Sequence, residues 1–160
     1  MARVDLTTAG VKVGWAVETT AGTRPTTYEH FVGINSVPDM NPEPSSRDAT
    51  TFDELEYKVY AEGLKDLSGA TGFGANITQA FIDQWEAMVT ACEAANDDGL
   101  SMWFAVHVPK LDKAWFFPCK ATHLGIPAMS TDSVITGDAY VTLTGEIEMD
   151  TAPTFTEYAA

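Results

Sequence analysis

Few residues in this chain stand at spacings that chemistry requires. Gly72-Phe73-Gly74-Ala75-Asn76-Ile77 begins as a dinucleotide-binding turn begins, where glycines let backbone N–H groups approach a pyrophosphate. Ile77 occupies the place of the third glycine, however, and no basic residue follows in the adjoining helical pattern, so the motif does not carry phosphate binding. His30, His107 and His123 are scattered, with no carboxylate or cysteine beside them at ligand spacing, and each reads as a structural histidine. Cys92 and Cys119 are too few and too far apart for a zinc site or a disulfide framework, and read as small buried apolar side chains. Carboxylate pairs such as Asp97-Asp98 and Glu146/Glu148 arise in any acidic chain, where solvation is their ordinary role. Ser68 beside Gly69 lacks the small residues that flank a nucleophilic serine on both sides. Asn76-Ile77-Thr78 is formally a glycosylation acceptor, but the opening Met1-Ala2-Arg3-Val4-Asp5-Leu6 has no apolar stretch of the secretory kind. The expectation is therefore a chain with no catalytic residue, no metal ligand and no cofactor, one that is not an enzyme.

Composition narrows the class further. With 160 residues and 45% apolar side chains, the chain can bury a core, and one domain over 1–160 is expected. The longest apolar runs, 102–106 and 114–117, fall far short of the ~20 residues of a membrane helix, so no membrane partner and a cytoplasmic site of synthesis are expected. The net charge is −14, from 23 acids against 9 bases, and beyond Lys120 six acids remain with no Lys or Arg. Such a surface lacks the cations that displace counterions from phosphates, and it should repel nucleic acid. Solubility explains the acidity, as does a channel through which DNA slides without sticking.

The elements follow from periodicity. Val11, Val13, Trp15 and Val17 alternate with smaller or polar residues as a strand with one buried face does. After a polar loop with Gly22 and Pro25, residues 28–34 form a short second strand. Residues 35–67 are poorly periodic: Pro38, Pro42 and Pro44 cluster, and eight acids from Asp39 to Asp66 face Arg47, Lys58 and Lys65. Phe73, Ala75 and Ile77 keep strand alternation opposite a bare glycine face. Thr78 then caps a helix over 79–95 whose Phe81, Ile82, Trp85, Met88, Val89 and Cys92 repeat at helical spacing. Residues 102–108 and 114–124 read as an aromatic-rich hairpin, and 138–149 as a closing strand with Ala139, Val141, Leu143 and Ile147 inward. Residues 150–160 read as a loose, flexible tail. The pattern predicts a mainly β member of the α+β class, a sandwich or barrel with one flanking helix and a long loop.

Several stretches then acquire a common meaning. Gly10-Val11-Lys12-Val13-Gly14-Trp15-Ala16-Val17-Glu18-Thr19-Thr20-Ala21-Gly22-Thr23-Arg24-Pro25 resembles the opening of major tail tube proteins from siphophages and prophages of Gram-positive bacteria. Ile34-Asn35-Ser36-Val37-Pro38-Asp39-Met40-Asn41-Pro42-Glu43-Pro44, Asp48-Ala49-Thr50-Thr51-Phe52-Asp53-Glu54 and Tyr60-Ala61-Glu62-Gly63-Leu64-Lys65-Asp66 are similar, in order, to that family's characteristic loop. Ser133-Val134-Ile135-Thr136-Gly137-Asp138 extends the similarity toward the end.

The resemblance implies a β-sandwich with a flanking helix, and hexameric rings whose sheets close a wide barrel and stack through the long loop. The implied partners are further copies of the chain, a tape measure protein, and tail terminator and tail-tip proteins. DNA would pass through the lumen unbound, and the location would be the virion tail after assembly in the host cytoplasm. In this reading the 35–67 loop is the inter-subunit element, with Met40, Phe52, Tyr57, Tyr60 and Leu64 seeking a partner surface. Thr142, Thr144, Glu146 and Glu148 are expected on one face of the last strand, lining the lumen. The competing expectation is a monomeric β-sandwich module displayed on a virion, binding carbohydrate or another surface.

Overall fold

A computed structural model describes residues 9–41, 43–66 and 70–158. In chain order its elements are β1 (Lys12–Val17), β2 (Thr27–His30), β3 (Ile34–Ser36), β4 (Glu43–Asp48), β5 (Tyr60–Asp66) and β6 (Ala70–Asn76). There follow α1 (Gln79–Asp97), β7 (Met102–His107), β8 (Lys113–Ala121), β9 (Thr136–Leu143), β10 (Glu148–Thr151) and β11 (Thr154–Thr156). The fold is mainly β with one helix, as the patterning predicts, and its large sheet is a curled half-barrel. The chain separates into two compact units, Asp39–Gly69 and the remainder.

In the larger unit the strands run in the order β11-β2-β1-β7-β8-β9-β6-β3, with β10 also paired to β8. Every neighbouring pair in this sheet is antiparallel except β11 with β2, which is parallel. The alternation read in the first strand sets which face is apolar: Val13, Trp15 and Val17 pair with Val106, Phe104 and Met102 of β7. Helix α1 begins where Thr78 Oγ1 accepts the Phe81 N–H at 3.2 Å, and the left-handed Gly99 (φ 77°) follows its end. Its Phe81, Trp85, Met88, Val89, Cys92 and Ala95 are buried. Trp85 packs with Phe31, Phe81 and Phe104 at ring separations of 5.5, 5.8 and 6.2 Å, and its Nε1 donates to the Thr122 carbonyl at 2.9 Å. Gln84, fully buried, accepts from the Val32 N–H at 3.0 Å and donates to the His30 carbonyl at 2.7 Å, which ties the helix to the end of β2.

The sheet face away from the helix is also apolar. Tyr28, Ala105, Ala114 and Phe116 are buried there, with Ala16, Trp103, Ala152 and Phe155 packed against them. The last two of these come from the segment expected to be a loose tail. That expectation is corrected: Asp150 and Thr151 belong to β10, and residues 154–156 pair with Thr27, Tyr28 and Glu29. Sheet pairing between residues so far apart in sequence leaves no local pattern to read.

The closing strand is corrected too. It was expected to run from 138 to 149, but β9 ends at Leu143 and β10 begins at Glu148. Both pair with the same strand: Leu143 lies opposite Cys119, and Glu148 opposite Phe116. Four residues, 144–147, therefore face only Phe117 and Pro118. Pro118 has no N–H to give the ladder, although its carbonyl still accepts the Thr144 N–H at 3.0 Å. Gly145 lets the bulged chain pass the proline ring, since a Cβ there would come 2.8 Å from it.

Candidate functional site

The smaller unit holds the expected inter-subunit segment from residue 39 onward, but not as an irregular loop, while residues 35–38 belong to the larger unit. Strands β4 and β5 form a two-stranded antiparallel hairpin with Asp48 opposite Tyr60 and Ser46 opposite Glu62, and a register shift between Pro44 and Ser46. Periodicity could not show this, because side chains bonded to backbone organise its tip. Ala49 N–H donates to the Val59 carbonyl at 2.8 Å, and Val59 N–H donates to Thr50 Oγ1 at 2.8 Å. Asp48 accepts the Thr50 N–H at 2.9 Å, while Glu54 accepts the Thr51 N–H at 2.6 Å and the Thr51 hydroxyl. These bonds from Thr50 and Thr51 hold the Asp48 and Glu54 carboxyls below their ordinary pKa range.

What this ordered hairpin lacks is burial. Phe52 is 103% exposed, Leu64 88% and Tyr57 82%, and Leu55, Val59 and Tyr60 are exposed as well. Tyr60 opens β5 and Leu64 lies further along it, past the register shift, while Phe52, Leu55 and Tyr57 lie in the tip. Of the five residues expected to seek a partner surface, Met40 alone is partly buried.

The residues expected to line a lumen do not share a strand. Thr142 lies in β9, Thr144 and Glu146 lie in the 144–147 bulge, and Glu148 opens β10. All four are exposed. The strand is interrupted opposite Pro118, yet Thr142 and Glu148 lie opposite Lys120 and Phe116, two positions on one face of β8. Glu148 is engaged as well: Arg24 Nη1 reaches its Oε2 at 2.7 Å, while Nη2 reaches Asp150 Oδ2 at 2.6 Å.

A second exposed apolar surface was missed by sequence reasoning. Between β8 and β9, Ile126 is 93% exposed, and Met129, Val134 and Ile135 are exposed. Ile126, Met129 and Ile135 line an open cleft with Leu124, Pro127, Ile77, Ile82 and Tyr140. The available signal was a long apolar segment holding Gly125 and Pro127 but neither strand nor helix period. The bare glycine face beside it has a packing role, because a Cβ at Gly72 would lie 2.9 Å from the Tyr140 ring. Both glycines of that motif sit inside β6, not in a turn that opens a helix.

The remaining polar groups make local pairs. His123 is not isolated as its sequence neighbours imply: Nδ1 lies 2.6 Å from Glu86 Oε2, and Nε2 lies 3.5 Å from Glu93 Oε1. The hydrogen bond to Glu86, aided by its charge, raises the imidazole pKa. His107 Nε2 lies 2.9 Å from the Leu111 carbonyl. Cys92 and Cys119 are buried and free. Among the described residues, no group of three or more His, Cys, Asp and Glu is placed to hold a metal ion. No protein-family model and no curated protein matches the chain.

Proposed function

We propose that this chain is a structural subunit of a phage tail tube, which joins copies of itself into stacked hexameric rings around a channel for the genome. The observation that supports this reading best is the 39–69 unit, a hairpin whose large apolar side chains, among the described residues, are almost all exposed. Two strands alone are marginal in water, and apolar exposure this dense marks a surface that another molecule covers. A neighbouring subunit is that molecule in the proposal. The half-barrel supports the reading too, since its terminal strands β3 and β11 have three residues each, and closure against other copies would cover such edges. An acidic chain at −14 suits passage of DNA without adsorption. Tape measure, terminator and tail-tip proteins are the further partners, and the virion tail is the destination after assembly in the host cytoplasm.

Sedimentation velocity and electron microscopy over a range of protein concentrations test the proposal. Rings or hollow tubes should grow in as concentration rises. A monomer throughout that range would overturn it and favour a displayed binding module.

A further inference from the structure

The segment 148–156 is held by contacts that a second copy could supply unchanged. Arg24 stacks over the Phe116 ring at 4.3 Å and grips Glu148 and Asp150. The Phe155 ring fills a notch left by Gly14, where a Cβ would come within 2.9 Å of it, and its centroid lies 6.4 Å from that of His107 and 6.5 Å from that of Tyr28. Strand β11 adds only three residues in parallel to β2, a weaker pairing than the antiparallel remainder of the sheet. The 144–147 bulge joins this arm to β9 with a glycine inside it, so the connection has the character of a hinge. The seat itself is not fully satisfied: Tyr28 is completely buried, yet its Oη has no hydrogen-bond partner among the described residues.

We propose that residues 148–156 form an exchangeable arm, seated on β1, β2, β8 and Arg24 of its own chain in the free subunit and on the same seat of a second copy after assembly. Every arm contact is regained in such an exchange, so the seat stays covered and only the hinge changes. The partner is thus an identical chain, and the seat comprises Gly14, Arg24, Tyr28, His107, the outer edge of β2 and the edge of β8 from Lys113 to Phe116. The inference rests on the tube-subunit reading only in requiring that copies assemble.

Charge exchange tests it. Arg24→Glu in one chain and Glu148→Arg with Asp150→Arg in another each place like charges between arm and seat within a chain. An equimolar mixture restores both pairings, but only between different chains. A chain carrying all three changes restores them internally and serves as the folding control. Native mass spectrometry at low salt should find heteromers of the two variants enriched about tenfold over like-chain species. Random mixing, or two unmixed monomers, would overturn arm exchange. Wild-type tubes together with unmixed variants would remove the exchange and leave the tube reading standing. Heteromers without wild-type tubes would do the reverse.

Discussion

Replacing Phe52 and Tyr57 by serine separates folding from assembly. Phe52 is 103% exposed and Tyr57 82%, so the free subunit loses almost no burial when either ring is removed. Surface changes of this kind move stability by about 0.5 kcal/mol or less, and the melting temperature should hold within a degree or two. Assembly is different. If each ring becomes buried against a neighbour, its loss removes roughly 1.5–3 kcal/mol per subunit. With RT near 0.59 kcal/mol, that corresponds to a critical concentration raised about 10- to 150-fold by Phe52→Ser alone. The double variant should rise further, although neighbouring contacts need not add. Pelleting assays across a dilution series give the critical concentration, and circular dichroism of the unassembled fraction reports its fold. An unchanged critical concentration would remove the hairpin tip from the interface. A subunit that melts many degrees earlier would show that the rings support the monomer, against their exposure.

Two further outcomes follow from the packing and the titrating groups. Trp85→Ala deletes a fully buried indole, and should cost about 3–5 kcal/mol in urea unfolding, whereas Trp85→Phe keeps most of the packing and loses chiefly the bond to Thr122, about 1 kcal/mol; near-equal midpoints for Trp85→Ala and wild type would refute the docking of α1. Asp48 and Glu54 have folded pKa values below the ordinary carboxylate range, so their support of the hairpin tip is present above that range and is lost as pH falls through the lowered values. Amide exchange in residues 48–59, corrected for intrinsic rates, should therefore lose protection selectively under acid, and equal protection at neutral and acid pH would contradict the assignment.

The sequence was readable where one element satisfies one local pattern. Alternation from Val13 to Val17 identified β1 and its buried face, and Thr78 with the Phe81, Trp85 and Met88 spacing identified α1 to within two residues. Gln84 gave no such signal, because its partners at His30 and Val32 lie more than fifty residues away. Pro118 lies inside β8, where the patterning puts it, and its consequence falls on the neighbouring strand: the missing N–H meets the break between β9 and β10. The candidate assembly residues from Phe52 to Leu64 were found because they are apolar in an acidic, proline-containing segment. The hairpin that presents them was not, since its tip depends on Asp48, Thr50, Thr51 and Glu54 bonding to nearby backbone and hydroxyl groups. Ile126 and Met129 escaped notice for the converse reason, as apolar residues with no period at all.

The two thiols make the molecule a reporter of its own opening. Cys92 on α1 and Cys119 on β8 are both buried, and burial pushes the Cys119 thiol well above its ordinary pKa, so little thiolate meets a reagent while the helix is seated. Modification by a small aromatic disulfide must then wait for α1 to lift or for the whole core to unfold. Its rate under native conditions becomes a clock for that event. Because both native thiols are shielded, a single cysteine placed in the exposed hairpin would react far faster, giving a site for a fluorophore or spin label against a silent background.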